Sequence, residues 1–124
     1  MYHNEVNHCY LDVVILAQRN NITLPEAIWK KTRDMCYVNL YWKKPNHCEI
    51  MQGDSDDIDV RDIIAKGAYL YKDPILKFGG YSKFDFDCIW DLGYGASIEY
   101  EAMDVEEPQS TGNGLCDSGN YYMR

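Results

Sequence analysis

The chain has 124 residues, 46% of them apolar and 26% charged: enough for one core, too few for two, and too apolar for wholesale disorder. Its formal net charge is −8 and is unevenly placed, because residues 1–52 hold six Lys/Arg against five Asp/Glu (+1) while 53–124 hold six against fifteen (−9). An acidic surface of this kind disfavours phosphate backbones and anionic membranes and favours basic partners or metal cations, and no apolar run approaches the ~20 residues of a membrane helix.

From the N-terminus, Val6, Cys9, Tyr10, Val13, Val14 and Ala17 recur at steps of three and four, which predicts an amphipathic helix over 5–18 that Asn20-Asn21 stops. Thr23-Leu24-Pro25-Glu26 reads as a capping box opening a second helix at Leu24, with Leu24, Ile28, Met35 and Val38 along one stripe and Lys43-Lys44-Pro45 at its end. The two helices are expected to form a hairpin. A short strand over 48–51 and an acidic loop over 53–57 follow, and then a short helix over 60–66, capped by Asp57 or Asp59 and ended by Gly67. Ala68-Tyr69-Leu70-Tyr71 alternates as a strand does, and Pro74 and Gly79-Gly80 mark loops on either side of 75–78. Beyond Val105 the composition is linker-like, so the expected organisation is one domain over 1–107 and a flexible tail over 108–124.

Residues 83–104 carry the strongest functional signal in the chain. Gly93-Tyr94-Gly95 reads as a three-residue hairpin loop between strands 83–91 and 96–104. In that register Phe84, Phe86, Cys88, Trp90 and Leu92 share one apolar face with Ala96, Ile98, Tyr100 and Ala102, and the opposite face carries Asp85, Asp87, Asp91, Glu99 and Glu101. The predicted class is therefore α+β, an N-terminal helical hairpin packed on a small antiparallel sheet whose central hairpin is 83–104.

Such a carboxylate ladder, with Tyr69, Tyr71 and Tyr94 beside it, suggests a partner-binding face that imitates the phosphate track of a nucleic acid. The implied partner is a basic, nucleic-acid-handling protein, and the type is the small inhibitor used by phages and mobile elements. Neither nucleic acid itself nor a membrane is an expected partner, self-association is left open, and no cofactor is called for. An alternative is an Mg-dependent nuclease or phosphohydrolase using Asp87, Glu99 and Glu101. On this hairpin the chain resembles restriction-type nucleases, with Glu99-Tyr100-Glu101 where that family has an acidic residue, a spacer and a lysine.

Other constellations point less far. Five cysteines, an odd number with no C-x-x-C pair, read as free thiols of a reducing compartment, and the first residues lack the pattern of a secretory signal, so a cytoplasmic location is expected. The aspartates of 54–62 lack the glycine and terminal glutamate of a calcium loop, and His8-Cys9 and His47-Cys48 lack zinc-ligand spacing. Asp12 to Ala17, Thr23 to Lys31 and Asn39 to Trp42 together resemble the last helix pair of the all-α nucleotide pyrophosphohydrolases related to MazG. The resemblance would match Asp12 to the aspartate of the family's E-x-x-D metal motif, but Cys9 stands where the glutamate belongs.

Overall fold

The three-to-four-residue period of the N-terminal third becomes two long helices, α1 (Tyr2–Arg19) and α2 (Glu26–Trp42), in a computed structural model that describes residues 2–123. They pack side by side as the expected hairpin. The capping box does not form: α2 starts behind Pro25 without a side-chain cap.

Next comes α3 (Arg61–Tyr71), the most enclosed element. Ile63, Ile64, Ala65 and Ala68 are fully buried, because α1, α2, α4 and α5 all pack on this one helix. A helix apolar on nearly every side is stable only in that central position. At its start Val60 takes the cap position without a side-chain cap in place of the expected Asp57 or Asp59, and Asp59, one residue earlier, accepts from the Arg61 N–H at 2.9 Å. Gly67 does not end it. A Cβ there would stand 2.6 Å from the Cys36 Sγ, so the glycine lets α2 and α3 approach and the helix runs on through the predicted strand 68–71.

The short α4 (Pro74–Gly79) is capped by Asp73, whose carboxylate accepts from the Ile75 and Leu76 N–H groups. The other oxygen of Asp73 accepts from Arg33 Nε and Nη2 at 3.0 and 2.6 Å and from the Tyr37 hydroxyl at 2.9 Å. One carboxylate thus ties α2 to α4. Burial works to raise its pKa, but these hydrogen bonds outweigh that and hold it below the ordinary carboxylate value.

The central β-hairpin expected over 83–104 is replaced by two helices, α5 (Phe86–Leu92) and α6 (Tyr94–Glu101), hinged at Gly93. The reason lies in the even-numbered residues that the strand reading puts on one face. They split into two sets at steps of four. Phe84, Cys88, Ala96 and Tyr100 are buried, whereas Phe86, Trp90, Ile98 and Ala102 are exposed. A two-residue period and a four-residue step coincide on such a pattern, and the helix wins because Asp85 supplies a cap and Gly93 a corner. Gly93 has φ +90° and ψ 159°, a conformation in effect confined to glycine.

The corner is closed from below. Tyr100 is fully buried, stacks on Phe84 at 4.2 Å between ring centroids, and donates its hydroxyl to the Tyr81 carbonyl at 2.6 Å. Lys77, itself nearly buried, donates to the carbonyls of Tyr100, Glu101 and Met103 at the end of α6, where a cation complements the helix dipole.

The fold is α+β, and its sheet lies where a flexible tail was expected. β1 (Gly112–Leu115) pairs antiparallel with β2 (Asn120–Met123), with Gly112 opposite Met123 and Leu115 opposite Asn120. Tyr122 stacks on Trp42 at 5.7 Å and so docks the hairpin on the end of α2, and Trp42 stacks in turn on His3. Residues 48–51 contribute one isolated bridge, Cys48 with Asp59, in place of a strand. No helix among the described residues is long and apolar enough to cross a membrane.

Candidate functional site

Folding disperses the carboxylate ladder, and four of its five members acquire partners inside the molecule. Asp85 caps α5, accepting from the Cys88 N–H at 2.9 Å. Asp91 pairs at 2.6 Å with Lys66, a nearly buried lysine of α3. Burial works against the Lys66 ammonium, and the hydrogen bond from Lys66 to Asp91 more than reverses that, keeping the lysine pKa above its ordinary value.

Glu99, on α6, accepts from the Tyr69 hydroxyl at 2.9 Å and from Lys72 Nζ at 3.3 Å. Those two donors, Tyr69 first, hold its carboxyl below the ordinary range, and Lys72 also lies 3.8 Å over the Tyr69 ring. Glu101 pairs with Lys83 at 3.1 Å. Asp87 alone of the five is exposed with no side-chain partner among the described residues.

The tyrosines divide as well. Tyr71 is half-buried in the contact of α3 with α2, edge-on to Trp29 at 5.7 Å between ring centroids, and burial pushes its phenol pKa up. Tyr69 belongs to the Glu99 network, and Tyr94 stands exposed at the start of α6. Of the eight residues expected to form one docking face, the structure joins Tyr69 with Glu99 and separates the rest into a cap, two other ion pairs, an interhelical contact and free surface.

Nor do Asp87, Glu99 and Glu101 converge on a common point. Among the described residues no group of three His, Cys, Asp or Glu side chains is placed to hold a metal ion. The nearest approach to acid–base chemistry is His8 Nε2 at 3.5 Å from the Asp62 carboxylate, whose pKa is raised mainly by burial. The aspartate so placed serves α3, and the Cys88 thiol donates to the Asp62 carbonyl from a fully buried position.

What sequence reasoning missed is the outer side of α5. Phe86 and Trp90, expected in the core, are 74% and 76% exposed and stack on each other with ring centroids 6.1 Å apart and planes 27° apart. Trp90 also borders a shallow groove with Leu16 and Asp12 of α1, Arg19 and Asp91. The available signal was the i, i+4 spacing of the two rings behind a strong Asp cap. Comparison with known proteins finds no match: no family model, no curated protein and no solved structure is similar to this chain.

Proposed function

We propose that this chain is an acidic protein-binding module that docks the Phe86–Trp90 side of α5 onto a basic partner. The observation that carries the reading is a pair of stacked aromatic rings, about three-quarters exposed, on a helix already anchored by Cys88 on its other side. Rings held outward in this way contribute little to the fold, yet they offer large, rigid contact area, and aromatic anchors of this kind dominate binding energy at protein interfaces. Asp87 on the same helix and Asp12 across the groove carry no side-chain ion pair and outnumber the one unpaired cation there among the described residues, Arg19, so the rim is negative on balance and favours positive charge in what it meets.

The partner class remains a basic protein of the kind that handles nucleic acids, favoured by the net charge of −8. The proposed contact is an aromatic anchor with an acidic rim in place of an imitated phosphate track, because Asp85, Asp91, Glu99 and Glu101 are engaged internally. Five free thiols, Cys9 and Cys116 among them exposed, suit a reducing compartment and with it the cytoplasm.

The test is paired capture. Wild-type protein and the Phe86→Ala/Trp90→Ala variant are immobilised and exposed to the same lysate at low and high salt. The expected result is a basic protein retained by the wild type, weakened by salt and absent from the variant. Equal retention by both would remove α5 as the docking side. Salt-independent retention would remove the charged rim.

A further inference from the structure

Helix α1 is apolar on two opposite sides, and only one of them faces the core. Leu11, Val14 and Ile15 are buried against the rest of the protein, while Val6, Val13 and Leu16 on the far side are 46%, 48% and 58% exposed, with Tyr2 and Cys9 exposed along the same line. The outward residues 2, 6, 9, 13 and 16 alternate steps of four and three. That is the seam of a coiled coil, kept over two heptads, a length at which the drift between 3.5 and 3.6 residues per turn is small. A helix with apolar character on both sides calls for a second neighbour.

We infer that the neighbour is α1 of a second copy of this chain, packed antiparallel about a two-fold axis. In that arrangement the four inner seam residues, 6, 9, 13 and 16, meet partners whose numbers sum with their own to 22, and Tyr2 lies beyond the paired layers. Val6 then packs on the partner's Leu16, and Cys9 on the partner's Val13, with both contacts repeated by symmetry, so the central layers are all apolar.

The charges single out this direction. Glu5, Asp12 and Arg19 recur every seven residues on one flank of the seam, and none has a side-chain hydrogen bond or ion pair among the described residues. Antiparallel pairing brings this flank against itself. Glu5 falls opposite the partner's Arg19 at each end, which gives two ion pairs, and Asp12 meets the partner's Asp12 at the axis. The same symmetry therefore supplies two attractive contacts and one repulsive one, a signature that an arbitrary apolar contact does not have. The interface is argued from α1 alone, although it shares Asp12, Leu16 and Arg19 with the groove beside Trp90.

The test is sedimentation equilibrium of the full chain across a concentration series. A concentration-dependent dimer is expected for the wild type, and a chain monomeric throughout would overturn the inference. Val13→Glu, on the solvent side of α1, should abolish the dimer with helical content unchanged. Glu5→Arg and Arg19→Glu should each weaken self-association about tenfold by turning two attractive pairs into repulsive ones. An equimolar mixture of those two variants should restore a heterodimer, since each then supplies the charge that the other needs, and failure to restore it would reject the antiparallel pairing. Asp12→Asn should tighten the dimer. If Phe86→Ala/Trp90→Ala dissociates the dimer while Val13→Glu does not, the self-contact belongs to α5 and the inference falls.

Discussion

Single carboxylates start helices and neutralise buried cations in this molecule. Asp91 is the clearest case, because removing it leaves the Lys66 ammonium inside α3 without its counter-ion. Asp91→Ala should cost about 3 kcal/mol in urea denaturation, and the double change Lys66→Met/Asp91→Ala should recover much of that loss, since no unpaired charge is then left buried. A single-variant loss under about 0.5 kcal/mol would mean that Lys66 reaches water. Asp73 carries more bonds: two backbone N–H groups of α4, the Arg33 guanidinium and the Tyr37 hydroxyl. Its folded pKa is lowered, so its stabilising effect is complete above the ordinary carboxylate pKa and disappears as pH falls through the lower folded value. Asp62, with its pKa raised, has the opposite sign and is relieved on acidification. Denaturation midpoints measured from about pH 7 to about pH 3 should fall on the acid side, and Asp73→Asn should flatten that limb at the cost of lower stability at neutral pH.

At the scale of elements, the corner between α5 and α6 decides where the aromatic side chains go. Gly93 turns the chain through a backbone conformation that a Cβ resists, and its N–H still closes α5 on the Ile89 carbonyl at 2.8 Å. Gly93→Ala should therefore lower stability by about 1–3 kcal/mol, read as a drop in thermal midpoint, with little loss of helical signal from α1 and α2. The same region shows why a pattern can be right and its period wrong. Phe84, Cys88, Ala96 and Tyr100 were legible as core residues, but strand alternation added Phe86, Trp90 and Ile98 to them, and the structure exposes all three. The N-terminal hairpin escaped the ambiguity of period, because steps of three and four occur together over 5–18, but not that of face: Val6, Cys9, Tyr10 and Val13 of the expected stripe are exposed, and Leu11 and Ile15 join Val14 and Ala17 in the core instead.

For the whole molecule, the proposed reading gives stability and recognition to different surfaces. The core runs through α3, with α1, α2, α4 and α5 around it, while Phe86 and Trp90 point away from it. Phe86→Ala/Trp90→Ala should accordingly change the unfolding free energy by less than about 1 kcal/mol while removing partner capture, a separation that thermal melts and the capture assay read independently. On that reading the net charge of −8 selects the partner and sets the salt dependence of binding, and it does not specify the fold.

The amino-acid sequence by itself determined the two N-terminal helices, the α+β class, the acid-rich second half and part of the core, Val14, Ala17, Phe84, Cys88, Ala96 and Tyr100 among it, because apolar spacing and charge are local properties that folding inherits. Only the tertiary structure decided that 83–104 is a helical corner, that Gly67 packs α3 against Cys36 and does not terminate it, that the small sheet is built from 112–123, and that the acidic ladder is taken apart into caps and ion pairs. The physical reason is that a side chain's partner is set by which elements meet. A carboxylate six residues from a lysine and one twenty-five away look alike in one dimension, yet Asp91 and Lys66 become neighbours at 2.6 Å once α5 closes over α3.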